Sequence, residues 1–187
     1  MEFTNQQKLI ITLLTDIHAK LEIEDSLDPD FVQRMVAGGQ GWALEWKYPG
    51  VFEESSEDPE SVKYVSEVLE MWSVLESSFN AFDAQELKVL AGAADPFGKD
   101  VKFPGFDGNN EGQYLSIARI FVNDLGLWSE FAGRVPNSHM HTTDGYRRML
   151  AVFKDVRSSK LSDHDYGLLG VEDLAQVLQG RRHPSNP

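Results

Sequence analysis

The densest cluster of chemically competent side chains is the run His139-Met140-His141-Thr142-Thr143-Asp144, which sets two imidazoles close to a carboxylate. Imidazole is the commonest metal ligand near neutral pH and a ready proton carrier, so His139, His141 and Asp144 are the candidate metal ligands. A metal held there needs a further ligand from a distance, and Asp107 or Glu111 would supply it. Such a metal would lower the pKa of a bound water, and a free carboxylate would act as base in a metal-assisted hydrolysis. The competing reading is structural. Histidines two apart on a loop need not converge, and Asn137, Ser138 and Asp144 are common turn and capping types.

The run Asp107-Gly108-Asn109-Asn110-Glu111-Gly112 imitates the start of a calcium loop, with oxygen ligands at alternate positions and a glycine at the sixth. The closing position, which must provide a bidentate carboxylate, is Ala118, so calcium is excluded. The run serves instead to end a loop and open a helix, with Asn109 or Asn110 as cap and Glu111 near the positive helix end. Gly38-Gly39-Gln40-Gly41 lacks both the preceding strand and the following Lys-Ser/Thr of a phosphate loop, and reads as a chain reversal. The chain has no Gly-x-Ser-x-Gly elbow. It has no cysteine among its 187 residues, which excludes thiolate zinc sites, cysteine nucleophiles and disulfides.

The elements that must position these residues are helices. Thr4 and Gln7 form a capping-box pair, followed by a stripe of Ile10, Leu13, Leu14, Ile17 and Leu21. Asp28-Pro29 opens a second helix that Gly38-Gly39 stops, with Phe31 and Met35 on its buried side. Residues 41–48 are aromatic and read as a brief helix or packed loop, a segment that could cover a partner. Residues 53–60 form an acidic loop leading, through Asp58 and Pro59, into the longest helix. There Val62, Val65, Val68, Leu69, Trp72, Leu75, Phe79 and Phe82 recur at helical spacing, and Tyr64, Met71 and Val74 widen the stripe, which marks a central helix. Asp83 caps a short helix. A helix carrying Tyr114, Ile117, Ala118, Phe121 and Leu125 runs to Gly126, and Thr142 or Thr143 starts another with Tyr146, Met149, Leu150, Phe153 and Val156. Leu161-Ser162-Asp163 is expected to cap a last helical region from Leu168 to Leu178. No stretch sustains period-2 alternation. The expected fold is all-α, a single compact multi-helix domain over residues 1–180 with a long central helix and long ordered loops, and a frayed tail over 181–187.

The formal net charge is −13, and all of it lies in residues 1–100, because residues 101–187 are balanced. That acidity disfavours binding to phosphate backbones or to anionic lipid. No apolar run approaches the ~20 residues of a membrane span. The expectation is a cytoplasmic protein with no membrane and no direct nucleic-acid contact.

Several segments resemble the YfbU family of bacterial helical proteins, a group without an assigned activity. They are Met1-Glu2-Phe3-Thr4-Asn5-Gln6-Gln7-Lys8-Leu9-Ile10, then Val68-Leu69-Glu70-Met71-Trp72, then Phe103-Pro104-Gly105-Phe106-Asp107 with Glu111 and Tyr114, and finally Asn137-Ser138-His139 leading to Tyr146-Arg147-Arg148-Met149-Leu150. The resemblance implies a compact helical domain and self-association, and it carries over no catalytic residue. The polar residues within these segments are Asp107, Glu111, Asn137, Ser138 and His139, set beside aromatics. They lead to the expectation that the 103–111 and 137–139 loops meet, either as a polar pocket or as a buried hydrogen-bond network pinning two loops to the core. The favoured function is a non-catalytic interaction or regulatory module that forms a homo-oligomer, with a possible protein partner and no cofactor or metal. The alternative is the metal-assisted hydrolase.

Overall fold

The computed structural model describes residues 2–51, 57–160 and 167–183. Eight α-helices and no strand are found among the described residues, as the helical periodicity requires. The chain divides into two compact units, Met1–Glu60 and Ser61–Pro187.

In the first unit, α1 (Asn5–Lys20) begins at the expected capping box: the Gln7 N–H donates to Thr4 Oγ1 at 3.2 Å and the Thr4 N–H to Gln7 Oε1 at 2.9 Å. α2 (Pro29–Ala37) begins with proline at its first position, and Asp28 accepts the Phe31 N–H. That bond is the main cause holding the Asp28 carboxyl below its usual value, with Lys47, 3.5 Å away, adding to it. The 41–48 segment is helical as α3 (Trp42–Lys47), and its Trp42, Ala43 and Leu44 are buried rather than presented to a partner. Trp46 stays partly exposed and donates its indole N–H to Asp58 at 3.1 Å.

α1 packs on α2 by its less apolar side. Lys8, Ile11, Thr12, Thr15 and His18 are half-buried, and Lys8 Nζ reaches the Ala37 carbonyl. Both threonine hydroxyls donate back to carbonyls of the preceding turn, so neither needs water when partly covered. The Ile10–Leu21 stripe that the periodicity marks for burial faces solvent instead, and no residue of α1 is buried.

The second unit is built on α4 (Glu60–Ala81), whose Val62, Val65, Val68, Leu69, Met71, Trp72 and Leu75 are all buried. α5 (Ala84–Ala93) starts at a capping box of Asp83 and Glu86. α6 (Gly112–Arg119) widens into a π turn at Ile120–Asp124 before Gly126 turns the chain at φ +70°. α7 (Thr143–Lys160) and α8 (Val171–Gln179) pack together closely enough that a Cβ on Gly180 would lie 3.2 Å from the Met149 backbone.

One expectation is corrected here. α8 is led in by Gly170, and Leu169 precedes the helix as a buried plug whose N–H donates to Ser78 Oγ at 2.8 Å. The expected cap at Leu161-Ser162-Asp163 lies outside the described residues, as do residues 52–56 of the acidic loop and 184–187 of the tail. Arg148 donates to the carbonyls of Gly180 and Arg181, capping the negative end of α8, and Arg182 donates to the Asp95 carbonyl, so both side chains are tied to the fold. No helix among the described residues is long and apolar enough to cross a membrane.

Candidate functional site

The 103–111 loop is positioned from beneath by α4. Glu76, a carboxylate on the apolar side of that helix, accepts the Phe103 N–H at 2.7 Å and a two-pronged pair from Arg134 at 3.1 and 2.6 Å. Burying a carboxylate is costly unless it is paired and hydrogen-bonded, and Glu76 is both. Phe103 then enters an aromatic cluster with Trp72, Phe106, Phe131 and Tyr146, at ring separations of 5.3 to 6.2 Å. Trp72 Nε1, in the same cluster, is the one buried side-chain polar atom without a partner among the described residues.

The loop turns at Gly105, with φ +81°, and its carbonyl accepts the Tyr146 hydroxyl at 2.7 Å. Burial raises the Tyr146 phenol well above its ordinary pKa, which keeps it a neutral donor. Beyond the turn, Phe106 and Asn137 pair as an isolated parallel bridge, and the Ser138 N–H donates to the Phe106 carbonyl at 3.1 Å. Asn137 Oδ1 accepts the N–H groups of Gly108 and His139, both at 2.9 Å, so one amide oxygen joins the two loops.

Asp107 and Glu111 face inward, both nearly fully buried. Asp107 closes an Asx turn. It accepts the Asn110 side-chain amide at 2.5 Å and the Asn109 N–H at 3.0 Å, and these bonds hold its carboxyl below the usual range. Glu111, not Asn109 or Asn110, stands at the cap position of α6, and its side chain makes no capping bond there. It reaches across to the start of α7. Oε1 accepts the N–H groups of Thr142 and Thr143, each at 2.8 Å, and the Thr143 hydroxyl. Oε2 accepts the Asp107 N–H at 2.9 Å and the Thr142 hydroxyl at 2.7 Å. A carboxylate offers about four lone-pair positions, so five donors leave none open.

Electrostatics follow from this geometry. Burial pushes the Glu111 carboxyl up, but the hydrogen bonds from Thr143, Asp107 and Thr142 outweigh it and bring the pKa from 4.5 down to about 2. The positive N-terminal end of α7 favours the same charge. A carboxyl depressed in the folded state stabilises the fold fully above its unfolded pKa and loses that contribution as pH falls through the folded one. Wild-type stability is therefore expected to fall between about pH 4.5 and 2 relative to Glu111→Gln, by at most about 3 kcal/mol and by less where water screens the site. Urea titrations of both proteins across that range check this.

The site residues named from the sequence are thus brought to one place, but not in one role. Glu111 and Asp107 are spent on backbone and side-chain donors of the fold, and Asn137 Oδ1 on backbone donors. Ser138 donates its hydroxyl to the Met140 carbonyl at 2.7 Å. His139 is exposed and held at φ +52°, an uncommon conformation for a residue with a Cβ, by the Asn137 bond to its N–H. His141 is exposed, with Nδ1 3.9 Å from Glu111 Oε1, and Asp144 is exposed at the start of α7. Among the described residues no three His, Asp or Glu side chains are placed to hold a metal ion, so His139, His141 and Asp144 do not form a ligand set.

Sequence reasoning missed Thr142, Arg134 and Glu76. The signal for Glu76 was available: a carboxylate one residue after Leu75 and four after Trp72 sits on a face otherwise meant for burial. Thr142 was visible only as a helix start.

The knot of loops therefore joins the segments that carry the family resemblance, 103–111 and 137–150, to the central helix. The YfbU domain model matches residues 1–180, from the lead-in of α1 to the glycine that closes α8, and the chain belongs to the YfbU family.

Proposed function

We propose that this chain is a non-catalytic interaction module whose working surface is α1. The observation that carries this reading is the exposed stripe of Leu9, Ile10, Leu13, Leu14, Ile17 and Leu21, more apolar than the side on which α1 packs. A monomer rarely leaves a contiguous apolar patch of this size to water unless something covers it. The saturated Glu111 supports the same reading from the other side, because a carboxylate with five donors has no lone pair for a metal, a substrate proton or a water. Asp107, Asn137 and Glu111 then hold two loops on the core rather than a ligand.

Native mass spectrometry of the freshly purified, untagged chain tests the reading. The expected spectrum contains protein assemblies whose masses are sums of chains, without a stoichiometric metal or small molecule. A stoichiometric metal that disappears in His139→Ala, or a retained small molecule, would overturn it in favour of a catalytic site.

A further inference from the structure

The pattern on α1 says what covers it. Ile10-x-x-Leu13-Leu14-x-x-Ile17 reads the same in both directions about the midpoint of Leu13 and Leu14. A two-fold interface between identical chains must be self-complementary, each residue meeting its counterpart's partner across the axis. An antiparallel pair of α1 helices centred on that midpoint meets the requirement: Ile10 of one copy lies opposite Ile17 of the other, and Leu13 opposite Leu14. We propose that α1 is the dimer interface of this chain, packed antiparallel against α1 of a second copy. This rests on the reading of α1 as an interaction surface and names its occupant.

Size and charge agree. The six stripe residues and Ile23 just beyond them are each between 49% and 66% exposed. Together they offer roughly 700 Å² per copy, so two copies would bury roughly 1,400 Å², within the ~1,200–2,000 Å² of a stable specific interface. A parallel pair would align the two helix dipoles, whereas the antiparallel register opposes them favourably. A lipid surface is the weaker occupant, since a chain of net charge −13 is repelled by anionic headgroups.

The test uses the full chain. Sedimentation equilibrium is expected to show a monomer–dimer equilibrium, and the double variant Leu13→Glu/Leu14→Glu should raise the dissociation constant at least about 100-fold, since each dimer loses four buried leucines. Its circular dichroism should be unchanged, because these side chains are exposed in a single copy. The absence of cysteine gives a clean register test. When Ile10→Cys and Ile17→Cys proteins are mixed and oxidised, the cross-link between positions 10 and 17 should dominate over either same-position link. A chain that stays monomeric, predominant same-position links, or a monomer that binds phosphatidylglycerol vesicles through the stripe would each overturn the proposal. A dimer indifferent to the two glutamates would overturn this interface while leaving the interaction reading intact, which a stoichiometric metal or small molecule in the native mass spectrum would defeat separately.

Discussion

Glu111→Ala is expected to destabilise the chain by on the order of 3–5 kcal/mol, read as a large fall in the urea midpoint with the protein still able to fold in the absence of denaturant. The size follows from what alanine leaves behind. The N–H groups of Asp107, Thr142 and Thr143 lose their acceptor, Thr142 is buried, and the start of α7 loses the charge that complements its dipole. Each buried donor left unsatisfied costs about 1–3 kcal/mol. Glu111→Gln should fall between, because the amide keeps one acceptor oxygen but turns an NH₂ toward existing donors. The direction distinguishes a structural carboxylate from a working one. Catalytic acids are often held at some cost to the fold, and their removal tends to be neutral or stabilising. A Glu111→Ala protein within about 0.5 kcal/mol of wild type would contradict the structural role.

Gly105→Ala is expected to cost as much or more, on the order of 4 kcal/mol, for a different reason. Two penalties meet at this residue. Its φ of +81° disfavours any side chain, and a Cβ would fall 1.9 Å from the Pro136 carbonyl oxygen, part of the backbone. Pro136 immediately precedes Asn137, so the clash would push apart the two loops that Asn137 joins, and it would displace the carbonyl that accepts the Tyr146 hydroxyl. Gly126 separates the two penalties. It has a similar φ of +70° but nothing within 4 Å of the position a Cβ would take, so Gly126→Ala should cost only the conformational term of about 1–2 kcal/mol. Thermal or urea unfolding of the two variants side by side checks the difference. Equal losses would mean that the close approach of the loops contributes nothing.

What the sequence revealed and what it hid divide along a physical line. Local signals were legible. The Thr4–Gln7 box, the Asp28-Pro29 start, the Asp83 cap and the α4 periodicity depend on neighbours within one or two turns, and all appear where the spacing puts them. The 103–111 and 137–139 segments stood out because they carry the family resemblance and set acids and amides beside aromatics. Non-local assignments were not legible. Which donors Glu111 accepts depends on α7 beginning about thirty residues later in the chain, so its position at the start of α6 suggested only a charge favoured by that helix's positive end, with Asn109 or Asn110 as the cap. Periodicity also marked the apolar stripe of α1 without saying what lies opposite it. An amphipathic pattern records that a face avoids water, and it is silent on whether the same chain or another covers that face.

The most direct measurement is the titration of the Glu111 side-chain carboxyl by carbon-detected NMR on the folded chain. The expected pKa is depressed from 4.5 to about 2 by the five converging donors. A carboxyl that titrates at its ordinary value or above would show those donors are not spent on it, and would return the 103–111 and 137–139 loops to candidacy as a site of acid–base chemistry.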